Sequence, residues 1–137
     1  MDNFRLHFMA SDHMVFDDDA QSVSLPTTEG SVGILAHHSN IIMAVVPGEI
    51  TYRAANGDED TVIVWDGLLK VENGEVMILV DTAERPDEID EARAQRAEER
   101  AREELKRANT NRDVALASAE LSRAMSRIKY SKKKHHV

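Results

Sequence analysis

The sequence changes its grammar once, at Pro86. All six glycines and all three prolines stand at or before that residue, so the remainder of the chain contains no helix breaker. Ahead of Pro86, short apolar runs are separated by turn residues; beyond it, apolar positions recur every three or four residues. A chain divided in this way folds as a β-rich part followed by helices, and each part must bury an apolar face of its own. The charge divides at the same place. Residues 1–85 carry 4 Lys/Arg against 15 Asp/Glu, whereas residues 86–137 carry 13 against 10. Opposite sign and different period indicate two modules, 1–85 and 86–137.

Composition closes several routes. No cysteine is present, which excludes disulfides and thiolate chemistry. No run reaches the roughly 18 apolar residues of a membrane-spanning helix, so no direct membrane insertion is expected. The start, Met1-Asp2-Asn3-Phe4, lacks the basic and apolar pattern of a signal peptide, and the expected compartment is the cytoplasm. With one Trp, two Tyr and three Phe, the core must be mainly aliphatic.

In the first module, residues 4–8 alternate apolar and polar as a half-buried strand does. Val15-Phe16 leads into Asp17-Asp18-Asp19, predicting a short strand that ends in an acidic turn, and alternation resumes over 21–25. Two glycines within 28–35 predict a bulge or tight corner. Further strands are expected over 41–46, 49–55, 60–65, 68–72 and 75–80. The Asn56-Gly57 and Asn73-Gly74 pairs between them carry the signature of type I′ hairpins. The fold class expected is an all-β flattened sandwich or barrel of about ten short strands.

In the second module, Asp87 after Pro86 is the expected N-cap of a helix over 88–108, about 30 Å long. Asn109-Thr110-Asn111 makes a turn, with Asn111 as N-cap of a second helix over 112–130. Seams at Ile89, Ala97, Ala101, Leu105 and Ala108, and at Val114, Ala117, Leu121, Ala124 and Ile128, predict an antiparallel helical hairpin. Alanine buries little area, so this packing is light. Residues 131–137 are expected to fray. Asp90, Arg93, Ala97 and Arg100 share one side of the first helix. That face is either a solvated stripe of ion pairs or half of an anion site.

The order of segments resembles the epsilon subunit of bacterial F-type ATP synthases (delta in mitochondria). The segments are Glu29-Gly30-Ser31-Val32-Gly33-Ile34-Leu35 with His38, Val46-Pro47-Gly48, Asp66-Gly67-Leu68-Leu69-Lys70-Val71 and Val80-Asp81-Thr82-Ala83-Glu84-Arg85. The hairpin adds Ile89-Asp90-Glu91-Ala92-Arg93-Ala94 and Ala119-Glu120-Leu121-Ser122-Arg123-Ala124-Met125. The chain departs from the family at Ala36-His37, where Pro-Gly is usual, at Asp66, where glycine is common, and at Ser31, where a glutamate stands. The resemblance implies a non-catalytic rotor-stalk subunit of a proton-translocating ATP synthase, peripheral on the cytoplasmic face of the bacterial plasma membrane. It implies that the sandwich binds the gamma subunit and the ring of c subunits, the ring through Gly30, Ser31, Val32 and His38. Strands 41–45 and 68–71 are candidates for the gamma-facing stripe. It also implies that the hairpin either packs compactly or extends towards the alpha and beta subunits and inhibits ATP hydrolysis.

Some bacterial members bind ATP in the compact hairpin through an I/L-D-x-x-R-A motif. The matching positions here are Glu84, Asp90, Arg93, Arg100, Arg123 and Arg127. A triphosphate between arginines relieves their repulsion, since guanidinium groups bind phosphate oxygens bidentately. The resemblance thus implies ATP as a regulatory ligand with no required cofactor. No phosphate-cradling glycine loop is present, so binding without hydrolysis is expected. Two other readings stand beside it: ion pairs of the arginines with Glu98, Glu103 and Glu120, worth little each, or contacts to gamma and beta in the extended state. The competing class of protein is a stand-alone β-sandwich interaction module with a helical appendage and no nucleotide binding.

Other features carry less. Adjacent His37 and His38 do not share a strand face, and no third metal ligand accompanies them. His135-His136 beside lysines reads as a solvated end. Asp17-Asp18-Asp19 lacks the spacing of a calcium loop. The hairpin has one aromatic residue, Tyr130, and nearly balanced charge, so nucleic acid is not an expected partner.

Overall fold

The computed structural model describes residues 2–133, within which the chain forms two compact units, one ending at Arg85 and the other beginning at Pro86. The first unit is built of β1 (Phe4–Ala10), β2 (Met14–Thr27), β3 (Gly30–Leu35), β4 (Ile41–Val45), β5 (Gly48–Ala54), β6 (Glu59–Val64), β7 (Gly67–Glu72), β8 (Glu75–Val80) and β9 (Ala83–Glu84). They pair in the order β1-β8-β7-β4-β2-β5-β6-β9, and β1 also pairs with β2. That extra pairing closes a circuit, giving the flattened all-β barrel expected from the sequence.

Strand β2 makes the closure possible. Its first half pairs with β1, its second half with β3 and β5, and Thr27 with Val45 of β4. Where the sequence predicts an acidic turn at Asp17-Asp18-Asp19, the strand runs straight through. The reason lies on β1: Asp17 and Asp18 pair with Arg5 at 3.1 and 3.7 Å, and Asp17 meets His7 Nδ1 at 2.8 Å. A bulge between Ala20 and Ser22 then resets the pleat. The buried positions switch from even, at Ala20, to odd, at Val23, Leu25 and Thr27, so both halves of β2 face the core.

Alternate residues of β1, β8 and β7 fill that core: Phe4, Leu6, Phe8 and Ala10; Val76, Ile78 and Val80; Leu69 and Val71. The two Asn-Gly turns differ. Asn73 and Gly74 both take positive φ between paired Glu72 and Glu75, as a two-residue type I′ hairpin requires. At Asn56-Gly57 only the glycine has positive φ, and the loop is wider. There Asn56 Oδ1 accepts the Asp58 N–H at 3.0 Å, a side-chain turn that displaces the expected hairpin geometry.

The second unit holds a 3₁₀ turn at Pro86–Glu88, α1 (Glu91–Arg107) and α2 (Asn111–Lys133). Asp90, not Asp87, caps α1: its Oδ1 accepts the Arg93 N–H at 3.1 Å from an extended backbone. The 3₁₀ turn uses up the residues that the sequence assigns to the first helical turn. Thr110 replaces Asn111 as the cap of α2, its hydroxyl accepting the Asp113 N–H at 3.0 Å. Helix α2 continues beyond Tyr130 to Lys133, and His135-His136 lie outside the described residues. The buried seam is Ala94 and Ala101 against Ala117 and Ala124, each pair seven residues apart. Ala94 takes a place the sequence gives to Ala97, and Val114 stays 41% exposed in the first turn of α2. No helix among the described residues is long and apolar enough to cross a membrane.

Candidate functional site

Two contacts across the hairpin fix which flanks of the helices meet. On one side, Arg102 Nη2 lies 4.0 Å from Met125 Sδ. On the other, the Glu104 and Glu120 carboxyl groups face each other. At about 100° per residue from buried Ala101 and Ala124, Arg93, Arg100, Arg123 and Arg127 all fall on the Glu104–Glu120 side. The register of the same two contacts sets Arg100 level with the stretch between Arg123 and Arg127, about 3 Å along the axis from each. Arg93 lies about 10 Å further towards the start of α1. Arg100, Arg123 and Arg127 therefore share one stretch of that flank, and Arg93 extends the stripe.

The remaining residues of the set have different settings. Asp90 spends its carboxylate on the helix N-terminus, where the dipole also favours it. Glu84 belongs to the first unit, in β9 opposite Ile63. Of the carboxylates that an ion-pair stripe would use, Glu98 is held by Arg102 at 2.8 Å and Glu103 by Lys106 at 3.6 Å. Glu120 turns to Glu104. The hydrogen bond and then the charge of Glu120 hold the Glu104 carboxyl above its ordinary range, with Arg100 pulling the other way.

The second residue set does not form one cluster. Gly30, at φ 103°, closes the β2–β3 turn, where the Thr27 hydroxyl donates to its carbonyl at 2.7 Å. Gly30 and Ser31 are exposed there, and Val32 packs against the core. His38 follows the far end of β3, about 17 Å away along an extended strand, with its Nδ1 2.7 Å from the Ser39 carbonyl oxygen. His37 has φ 66°, a conformation that favours glycine, and faces Asp2 at 2.9 Å.

An apolar face on the first unit was only half legible. Cross-strand register sets Met9, Leu79, Leu68 and Ala44 in one row over β1, β8, β7 and β4, with Met77 and Ile42 on either side of Lys70 in the next. Leu79, Leu68 and Ile42 are 45, 46 and 66% exposed. Strands 41–45 and 68–71 were expected in such a stripe; Leu79 and Met77 were not. The signal was the Val76–Val80 run, apolar on both faces, which marks a strand covered on both sides.

Comparison with known proteins covers both units. Residues 3–86 match the family model for the ATP synthase Delta/Epsilon chain beta-sandwich domain, and residues 87–132 match that for its long alpha-helix domain. The ATP synthase epsilon chain of Polynucleobacter necessarius is 34% identical over 93% of this chain and 93% of its own. That of Clostridium novyi is 38% identical over 91% and 95%. Among solved structures, a chain of the Euglena gracilis mitochondrial ATP synthase OSCP/F1/c-ring assembly has TM-score 0.74 at 20% identity, covering 98% of this chain and 82% of that one. A chain of the Tetrahymena thermophila mitochondrial ATP synthase central stalk and c-ring has TM-score 0.66 at 15% identity, covering 93% and 95%.

Proposed function

The chain belongs to the ATP synthase Delta/Epsilon family, and from that membership we propose a rotor-stalk subunit whose helical hairpin is a nucleotide-controlled brake on ATP hydrolysis. The first unit is the part that docks. Its exposed row of Met9, Leu79, Leu68 and Ala44 suits a gamma subunit, since a patch of this kind on a surface rich in charge marks a protein interface. The Gly30–Ser31 turn and the His38 loop contact the c ring as two separate points at the ends of β3. The subunit is peripheral, on the cytoplasmic face of the bacterial membrane, and carries out no chemistry itself.

The placement of Arg100, Arg123 and Arg127 on one flank of the hairpin supports the nucleotide reading. Arginines on one flank suit a polyanion, because a triphosphate supplies both charge and bidentate acceptors. Arg93 extends the same stripe. Asp90 acts by fixing the start of α1. No group in the stripe activates water, so ATP binds and is not consumed. Bound ATP holds the hairpin compact. Its release frees the arm to extend to the alpha and beta subunits and inhibit hydrolysis. The alanine seam makes this switching accessible: ligand at ten times its dissociation constant adds about 1.4 kcal/mol to the compact state, and each alanine contact contributes little.

Calorimetric titration with ATP, with ADP as comparison, tests the site. One saturable site that prefers ATP, weakened in Arg100→Ala and Arg127→Ala without loss of the β-unit, is the expected result. No heat up to millimolar ATP would move the arginines to the interface with gamma and beta. Co-expression with gamma tests the stalk assignment, and a stable one-to-one complex is expected.

A further inference from the structure

The chain leaves the first unit through its weakest strand. Strand β9 has two residues and pairs with β6 only at Ile63–Glu84 and Val64–Ala83. A strand that short, at a sheet edge, does not hold itself. Directly after it, Arg85 Nε donates to Asp60 Oδ2 at 2.9 Å. The same oxygen accepts the Tyr52 hydroxyl at 3.2 Å, and Tyr52 is the cross-strand partner of Asp60. Tyr52 is itself buried, its ring 4.7 Å from that of Phe16 and edge-on to Phe8 at 6.1 Å. One carboxylate thus links the last residue of the unit to the aromatic part of its core.

We propose that the Tyr52–Asp60–Arg85 group is a latch that pins strand β9 and the chain's exit from the first unit. Its electrostatics agree. Burial and then the Asp60 charge push the Tyr52 hydroxyl above its ordinary range, and the Asp60 hydrogen bond raises the Arg85 guanidinium. With the latch open, residues 82–85 leave the sheet and become a tether of up to about 14 Å at full extension. The latch therefore sets how much free chain joins the two units, whether or not the second unit binds nucleotide.

The test uses the full chain, with Asp60→Ala and Arg85→Gln as the opening variants. Glu59→Gln is the control, because it breaks only the neighbouring surface pair with Arg53. Amide exchange over residues 82–85, and at Trp65, whose N–H bonds the Thr82 carbonyl at 3.2 Å, should rise about tenfold in both opening variants. It should stay unchanged in Glu59→Gln. Because the chain has no cysteine, spin labels can be placed cleanly at Glu29→Cys and Asn109→Cys. The distance distribution between them should broaden in the opening variants. Exchange in the core strand β8 reports global unfolding, and a variant that loses it is replaced by the other. Parent-like exchange over 82–85 would overturn the latch, as would faster exchange with an unchanged distance distribution.

Discussion

Replacing Asp90 separates a helix cap from a ligand contact. The carboxylate accepts the Arg93 N–H at 3.1 Å at the exposed start of α1. Losing such a cap costs about 1 kcal/mol, within a range of roughly 0.5–2. The remaining acceptors there compensate little, because the Asp90 carbonyl already takes the Ala94 N–H at 2.9 Å. One kcal/mol is about a fivefold shift in the local opening equilibrium, so amide exchange at Arg93 and Ala94 should quicken about fivefold in Asp90→Ala. An asparagine in its place would keep the oxygen acceptor and lose only the charge, a dipole interaction of about 0.3 kcal/mol at an exposed site. Asp90→Asn should therefore exchange within a factor of about two of the parent. Exchange in Asp90→Ala equal to the parent would show that the cap bond is idle. An asparagine variant as damaged as the alanine variant would show that the negative charge, not the cap, is what the position supplies.

Three further outcomes follow from particular contacts. A Cβ at Gly67 would press into the Leu79 carbonyl oxygen and lie 2.8 Å from Val80 Cα; these are backbone atoms, so Gly67→Ala should destabilise the β-unit by about 3 kcal/mol in denaturant unfolding. The Glu104 carboxyl is raised above its ordinary value of 4.5 in the folded chain, so its contribution is full at lower pH and is lost as pH rises through the raised value. Thermal melts of the hairpin should thus show the parent losing stability relative to Glu104→Gln as pH rises above the ordinary value of 4.5, and parallel curves would refute the pairing. Leu79→Glu changes a side chain 45% exposed, and should leave unfolding within about 0.5 kcal/mol of the parent while abolishing co-purification with gamma.

What the sequence determined by itself was local. The strand alternation, the Asn73-Gly74 turn, the two helices and their alanine-rich seams depend on neighbours within a few positions, and periodicity records those directly. Errors at this level were also local: the 3₁₀ turn at Pro86–Glu88 moved the cap from Asp87 to Asp90. Tertiary structure decided everything that needed a partner far along the chain. Arg5 and His7 on β1 turned an acidic run into the middle of β2. The bulge after Ala20 let one strand serve both sides of a closed barrel. Of the residues set together by family resemblance, Arg100, Arg123 and Arg127 fall on one flank of the hairpin by helix geometry, whereas the length of β3 separates Gly30 from His38. Asp60 sits 25 positions from Arg85, and no period in the sequence connects them. Side-chain pairing across such distances is set by how strands close and helices cross, and that geometry exists only once the chain has folded.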